Sequence, residues 1–243
     1  MSKLSRAFEV DRLICRRVDY IWPYARDNAL AIQKHWMARL RQTPSMYDGR
    51  VLLANHVQTE TDGADALLRI NVFETSFSAF LAWRDADWPD RSVFNCFSMP
   101  AVRSCDGGFL VGEMTADHSV AGALYFPCGT PDPSDLDTTG AVDLLGSLRR
   151  ELAEETGLDA DRGVLRPGWT IVVDRQFIAC VRIIDWPEPS STLVAEARRR
   201  IAEQSRPELA DVHILTPPSN LTDPRLPPYM TIFLSRVFGR AKG

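Results

Sequence analysis

Apolar and polar residues follow two different periods along this chain, and the period changes from segment to segment. Short β-rich runs predict strands at 6–17, 51–53, 67–73, 93–102, 109–114, 123–126, 171–173, 177–184 and 212–215. Apolar positions spaced three and four residues apart predict helices at 25–40, 77–81, 143–156 and 191–205. Strands interleaved with helices after residue 92 predict an α/β fold with a mixed sheet.

A charged connection that contains a proline interrupts this pattern at residues 85–91, DADWPDR. Before it, a strand at 6–17 and a helix at 25–40 are followed by a pair of short strands and a short helix. After it, the α/β pattern is continuous. We therefore predict an N-terminal α+β segment over residues 1–91 and an α/β domain over residues 92–243.

The composition changes this picture mainly by excluding classes of protein. The 243 residues are 45% hydrophobic and 25% charged, which is typical of a globular protein. No apolar run is long enough to span a membrane, and the first residues lack the apolar core of a secretory signal, so we expect a cytoplasmic protein without a membrane partner. With 28 basic and 32 acidic residues the net charge is -4, and we expect no binding of nucleic acid. Five cysteines form no CxxC pair, which argues against a structural zinc site.

The helix predicted at 143–156 carries the chemistry. Glu151, Glu154 and Glu155 stand at i, i+3 and i+4, which places three carboxylates on one side of a single turn. Like charges at this spacing repel each other, and a bound hard cation would remove the conflict, because Mg2+ and Mn2+ take oxygen ligands. Acidic runs are also common on solvated helix faces, so the cluster alone leaves both interpretations open.

The surrounding sequence decides between them. Residues 150–158, RELAEETGL, resemble the second half of the Nudix box, R-E-U-x-E-E-x-G-U, where U is a bulky aliphatic residue, at every specified position. The first half matches less well: Gly129 stands at the box's first glycine, Cys128 replaces the other glycine, and Asp135 stands at the glutamate. Fourteen residues separate Asp135 from Arg150 where the family has seven, which indicates a seven-residue insertion. An alternative register puts Val142 at the glutamate position and removes that carboxylate.

The resemblance implies a Nudix-type α/β/α sandwich with a mixed sheet. It also implies an enzyme that hydrolyses phosphoanhydride bonds with Mg2+ or Mn2+. In this family the general base lies either on the box helix or on a later loop. The roles that the resemblance implies are cation binding by Glu151, Glu154 and Glu155, orientation of a glutamate by Arg150, and proton abstraction by Glu154 or Glu208, with Glu188 and Glu203 as rivals. Gly129 and Asp135 would belong to the loop before the helix, near the substrate.

The substrate is less closely defined by the sequence. The N-terminal segment and the altered first half of the box distantly resemble the nucleotide-sugar diphosphatases of this family. We therefore expect a small nucleoside diphosphate derivative to be cleaved into a nucleoside monophosphate and a phosphorylated product. Two alternatives stay open, an inactive Nudix-fold protein that senses nucleotides or serves as a scaffold, and a CoA-ester diphosphatase. The sequence also leaves open whether the chain forms a homodimer.

Overall fold

The computed structural model describes residues 5–116, 120–216 and 221–240, and the side chain of residue 240 is not considered. Strands within these residues are β1 (Arg6–Val10), β2 (Arg12–Arg17), β3 (Arg50–Asp62), β4 (Asp65–Ser76), β5 (Asn95–Arg103), β6 (Phe109–Met114), β7 (Leu124–Tyr125), β8 (Val164–Leu165), β9 (Trp169–Asp174), β10 (Phe177–Asp185) and β11 (Leu209–Leu215). Helices are α1 (Pro23–Asp27), α2 (Ala29–Gln42), α3 (Phe77–Asp85), α4 (Leu144–Thr156), α5 (Ser190–Ala202) and α6 (Pro228–Arg240). Short 3-10 turns lie at Pro133–Asp135 and Ala160–Arg162.

The chain divides into two compact units. The small-sheet unit comprises Arg12–Cys96 and Thr130–Leu144. Its sheet has the order β2-β4-β3, in which β2 runs parallel to β4 and β3 runs antiparallel to it. Helix α3 begins at the cap Ser76, whose side chain accepts the N–H of Ala79 at 3.2 Å, and α3 buries Phe80, Leu81 and Trp83.

The large-sheet unit comprises the described residues up to Asp11, Phe97–Gly129 and the residues from Leu145 onward. Its mixed sheet has the order β1-β9-β10-β5-β6-β11, with β7 beside β6 and β8 beside β10. The first strand belongs here because β1 pairs antiparallel with β9, from Arg6 opposite Val173 to Val10 opposite Trp169. The predicted α/β class is confirmed by this arrangement.

Helices cover both faces of the large sheet. The ring of Phe109 on β6 contacts Phe233 and Phe238 of α6, with ring centroids 6.0 and 5.6 Å apart. The neighbouring Gly108 faces the other way, because a Cβ there would collide with Ile214 and with Ser190 of α5. Side chains alternate along a strand. Therefore α5 and α6 lie on opposite faces, as an α/β/α sandwich requires.

The compact units differ from the predicted division at residue 92. Strand β1 lies with the large sheet, and residues 130–144 lie with the small sheet. Within the small-sheet unit, the Leu52 N–H donates to the Pro131 carbonyl at 2.7 Å, and the Val142 N–H donates to the Cys15 carbonyl at 2.9 Å. Such pairings join residues far apart in the chain and leave no local pattern for sequence reasoning to detect.

Within the described ranges, every helix is too short or too polar to cross a membrane.

Candidate active site

Helix α4 lies in the large-sheet unit from Leu145 onward, and its end is fixed by contacts with α5. Leu148 and Leu152 are fully buried. Gly157 ends the helix with φ +70°, and its N–H donates to the Ala153 carbonyl at 2.9 Å. A Cβ at Gly157 would lie 2.5 Å from the Cβ of Arg200, so both the backbone angle and the close approach require glycine.

The three carboxylates of this turn range from buried to exposed. Glu155 is 4% exposed, the side chain of Glu151 is 14% exposed, and that of Glu154 is 63% exposed. One carboxylate oxygen of Glu155, Oε1, accepts the backbone N–H of Cys128 at 2.9 Å. The loop that precedes α4 in the large-sheet unit is therefore attached to the buried end of the carboxylate cluster.

The electrostatics of the cluster favour protonation of the buried Glu155 and the partly buried Glu151. Burial raises the pKa of Glu155 well above its ordinary value, and the charges of Glu151, Glu208 and Glu154 raise it further, against the lowering effect of the Cys128 N–H. Burial also raises the pKa of Glu151, where the hydrogen bond from Arg150 acts in the opposite direction. The folded protein thus holds like charges together at a cost that a bound cation would reduce.

Two further residues constrain the Glu151 side chain. The Arg150 guanidinium donates to Glu151 Oε1 at 3.0 Å and lies 3.8 Å from Glu154 Oε2. On the other side, a Cβ at Gly129 would lie 2.6 Å from Glu151 Oε1, so the loop backbone approaches this carboxylate more closely than any side chain would allow. The Glu151 carboxylate therefore has little freedom to move.

Of the later acidic residues that the sequence singled out, Glu208 is the one coupled to this cluster. It is exposed just before β11, and its carbonyl accepts the Thr115 N–H at 3.0 Å. Its negative charge contributes to the raised pKa of both Glu151 and Glu155. By contrast, Glu188 accepts a hydrogen bond from Arg162, and Glu203 accepts one from Arg199.

Asp135 lies in the small-sheet unit, and its carboxylate is hydrogen-bonded within its own loop. It is 5% exposed, and its Oδ2 accepts the Asp132 N–H at 3.0 Å within the capping box of the 3-10 turn Pro133–Asp135. The structure therefore assigns this carboxylate a contact within its own loop. The predicted role of Asp135 near the substrate stays a prediction.

Sequence reasoning missed three groups beside the carboxylates. Burial raises the pKa of the Cys128 thiol, and the charges of Glu155 and Glu151 raise it further. Burial also raises the pKa of Tyr125 and Tyr229, and in both cases Cys128 and Glu155 add to the effect. Cys128 was visible next to Gly129 in the altered box. Tyr229 lies on α6, far along the chain, and no local pattern connects it with α4.

The chemistry of the donors fits a divalent metal ion. Carboxylate oxygens are the ligands that Mg2+ and Mn2+ prefer, and the repulsion among Glu151, Glu154 and Glu155 is what such an ion would relieve. In the part of the chain that the structure describes, no group of three or more His, Cys, Asp or Glu side chains is already arranged around a common point. The fit is therefore one of donor type and charge, and it requires side chains such as the exposed Glu154 to turn toward the ion.

Comparison with known proteins gave similarities to solved structures. No protein-family model matches the chain, and no curated protein matches it. The MutT protein from Methanosarcina mazei Go1 is 19% identical, with a TM-score of 0.42 over 61% of this chain and 95% of that one. The Nudix hydrolase RenU from M. smegmatis is 15% identical, with a TM-score of 0.39 over 60% of this chain and 84% of that one. The C-terminal domain of mouse MUTYH, solved in complex with human PCNA, is 16% identical, with a TM-score of 0.37 over 60% of this chain and 89% of that one.

Proposed function

We propose that this chain is a metal-dependent pyrophosphohydrolase of the Nudix type. Its substrate would be a nucleoside diphosphate linked to another moiety, such as a nucleotide sugar, and its products a nucleoside monophosphate and a phosphorylated partner. The observation that carries the proposal is the single turn of α4 in which the buried Glu155 and the partly buried Glu151 have raised pKa values beside the exposed Glu154. This turn coincides with the segment RELAEETGL, which resembles the Nudix box.

The proposed reaction is attack of water on one phosphorus of the diphosphate, with cleavage of its bond to the bridging oxygen. Phosphate oxygens repel the incoming water, and the acidic cluster alone would increase that repulsion. A Mg2+ or Mn2+ ion bound by Glu151, Glu154 and Glu155 would neutralise the phosphate charge and make a bound water more acidic.

The side chains of the protein have separate tasks in this scheme. Arg150 orients the Glu151 carboxylate through a charge-assisted hydrogen bond, and the Cys128 N–H orients that of Glu155. The proton of the attacking water goes to a carboxylate. Glu208 is our first candidate because it is exposed and electrostatically coupled to the cluster, and Glu154 is the second.

The test is a phosphate-release assay on the purified chain with Mg2+ or Mn2+ and a coupled phosphatase. The panel contains nucleotide sugars, ADP-ribose, dinucleoside polyphosphates, oxidised nucleotides and CoA. Hydrolysis confined to CoA would identify the CoA-ester diphosphatase instead. No hydrolysis of any member with either metal would contradict the proposal.

The chain offers a matched pair of variants for the acidic cluster. Glu154 lies in the last turn of α4, and Glu203 is the C-cap of α5. Both are exposed, and each pairs with an arginine four residues earlier, at 3.8 and 2.9 Å. We expect Glu154→Gln to lower kcat/KM by two or more orders of magnitude and Glu203→Gln to leave it unchanged. An equal loss in both variants would show that the cluster has no special role.

The position of Asp135 favours a second candidate, a nucleotide-binding protein without turnover. The Asp135 carboxylate stands where the resemblance places the first glutamate of the box. In the structure this carboxylate accepts a backbone N–H within a capping box. This candidate predicts that calorimetry detects nucleotide binding while the assay detects no product over hours. Product formation excludes it.

A further inference from the structure

A cavity of about 470 Å³ lies in the large-sheet unit, on the face of the sheet that carries α6. Its floor contains Thr170 of β9 and Val181 and Ile183 of β10. Val181 lies opposite Thr170, and Thr170 lies opposite Glu9 on β1, so their side chains share one face. Arg236 of α6 lies 3.6 Å from Glu9, so α6 covers this face and forms a wall of the cavity. The cavity therefore has a mainly apolar floor beside the C-terminal half of α6.

Two arginines at one end of this cavity share a single carboxylate. Arg103 of β5 donates from Nε to Asp185 Oδ1 at 2.9 Å, and Arg166 donates from Nε to Asp185 Oδ2 at 2.5 Å. Asp185 follows Val181 and Ile183 at every second residue of β10, so the two ion pairs lie on the same face as the floor. In the part of the chain that the structure describes, no other carboxylate pairs with either guanidinium. One positive charge therefore remains uncompensated at this end.

The two guanidinium groups keep hydrogen-bond donors that a ligand can reach. Each guanidinium has five N–H groups, and the contacts with Asp185 use Nε and Nη2 of Arg103 and Nε of Arg166. None of the remaining Nη nitrogens is buried, and the side chains of Arg103 and Arg166 are 31% and 41% exposed. Because both residues line the cavity, these donors are accessible from it.

Backbone contacts hold Arg166 in place. Its N–H donates to the Ile183 carbonyl at 2.9 Å, and its carbonyl accepts a hydrogen bond from Arg182 Nη2 at 2.5 Å. The turn after Arg166 passes close to β1, since a Cβ at Gly168 would lie 3.1 Å from the Val10 carbonyl oxygen, and the φ of Gly168 is +71°. The arginine end of the cavity is therefore preorganised, which reduces the entropic cost of binding.

We propose that this cavity binds a small organic oxyanion, a phosphate ester or a carboxylate, with an apolar body. The oxyanion binds the Nη donors of Arg103 and Arg166, because guanidinium groups match carboxylate and phosphate oxygens in fork geometry. The body lies on the strand side chains of the floor. The volume is within the range of about 300–1,000 Å³ that is typical of small-molecule sites. The site uses none of the α4 carboxylates, so it is independent of the proposed hydrolysis.

The opposite end of the cavity sets the orientation of the ligand. Glu9, which pairs with Arg236, and Asp11 place carboxylates at the β1 end. These carboxylates repel a second anionic group on the ligand. A ligand with one oxyanion is therefore preferred to a ligand with an anionic group at each end.

Calorimetric titration of the metal-free protein at constant ionic strength tests the site. Phenyl phosphate and benzoate each carry an oxyanion on an apolar ring. Three control probes each lack one required property: inorganic phosphate has no apolar body, benzyl alcohol has no charge, and terephthalate has a carboxylate at each end. We expect phenyl phosphate or benzoate to bind with a Kd of about 1 mM or tighter, and the tighter of the two identifies the preferred oxyanion. The control probes should bind at least about 10-fold more weakly. Because no metal is present, the result does not depend on whether the chain is a hydrolase.

Three variants locate the binding. Arg166→Met leaves Asp185 its other arginine and should raise the Kd about 10-fold or more, because charge-assisted hydrogen bonds are lost. Thr170→Phe fills the floor without changing a charge and should abolish binding, which keeps the test informative even if Arg166→Met does not fold. Arg199→Met removes an exposed arginine of α5 that pairs with Glu203, and it should bind as the parent protein does. Failure of both ring compounds to bind, equal binding of a control probe, or an unchanged Kd in either cavity variant would overturn the proposal.

Discussion

Replacing Gly129 by alanine tests whether the loop before α4 must approach the carboxylate cluster without a side chain. Gly129 does not have a positive φ, so alanine can adopt its backbone conformation. The new Cβ would lie 2.6 Å from Glu151 Oε1, whereas ordinary contact begins at 3.4 Å. The carboxylate must therefore retreat by about 0.8 Å, the difference between these two distances.

Two opposing contributions of similar size determine how the substitution changes the free energy of unfolding. Alanine restricts the unfolded chain and stabilises the protein by about 0.4–1 kcal/mol. The displaced Glu151 weakens its hydrogen bond with Arg150, which costs about 0.5–1.5 kcal/mol. These terms largely cancel, so we expect the Tm to change by less than about 4 °C.

The effect on metal binding is expected to be much larger. Metal–ligand distances are held to within about 0.2 Å, and the required displacement of Glu151 is several times that. We expect the affinity for Mn2+ to fall about 10- to 100-fold, with kcat/KM falling in parallel. Isothermal calorimetry measures the first quantity and the phosphate-release assay the second.

A matched control separates this effect from a general response to alanine. Gly122 lies in the same unit with φ +71°, and a Cβ at this residue would have no atom within 4 Å, so Gly122→Ala should lose stability and keep its Mn2+ affinity. If Gly129→Ala binds Mn2+ as tightly as the parent protein, then the close approach of the loop to Glu151 has no functional meaning and the reasoning is wrong.

Three other substitutions extend the test. Gly157→Ala should cost about 2–5 kcal/mol in urea unfolding, from the left-handed backbone and the contact with the Cβ of Arg200, and Arg200→Ala should not rescue it because that Cβ remains. Glu155→Gln should stabilise the metal-free protein at pH 7 and abolish stabilisation by Mn2+ in thermal unfolding, because it removes a buried charge and keeps an acceptor for the Cys128 N–H. Hydrogen bonds from Ser104 and Ser190 lower the pKa of Asp106 from 3.8 to about 2, so its contribution to stability is present above pH 3.8 and is lost as the pH falls toward 2. Asp106→Asn should flatten the dependence of Tm on pH in this range, and an unchanged slope would contradict that assignment.

The helix that carries the chemistry could be predicted from the sequence because its signals are local. The spacing of Leu144, Leu145, Leu148 and Leu152 predicts one buried stripe ended by Gly157. The structure buries three of these leucines, leaves Leu145 partly buried, and ends α4 at Gly157. The hydrogen bond from Gln204 to the Glu154 carbonyl, at 2.8 Å, could not be predicted. It joins residues fifty positions apart, and nothing near Gln204 distinguishes it from a solvated glutamine.

The predicted division at residue 92 also depended on local patterns, which do not show pairing between distant strands. The charged connection at 85–91 suggested a boundary, and the compact units do change nearby, within β5. The sequence also showed that residues 6–17 have strand character, and the structure contains β1 and β2 there. What the pattern did not contain is that β1 and β2 belong to different sheets, because strand partners are chosen by packing across the fold and not by neighbours in the chain.

The pairing of β1 with β9 has a consequence for biosynthesis. About 160 residues separate Val10 from its partner Trp169, and a ribosome adds roughly 5–20 residues per second. The first strand therefore waits on the order of 10 s or longer for its neighbour to be made, with its backbone amides available to other chains or to chaperones. Completion of the large sheet is a late event in synthesis, and an N-terminal fusion that hinders this pairing should reduce the yield of folded protein before it changes any property of the finished molecule.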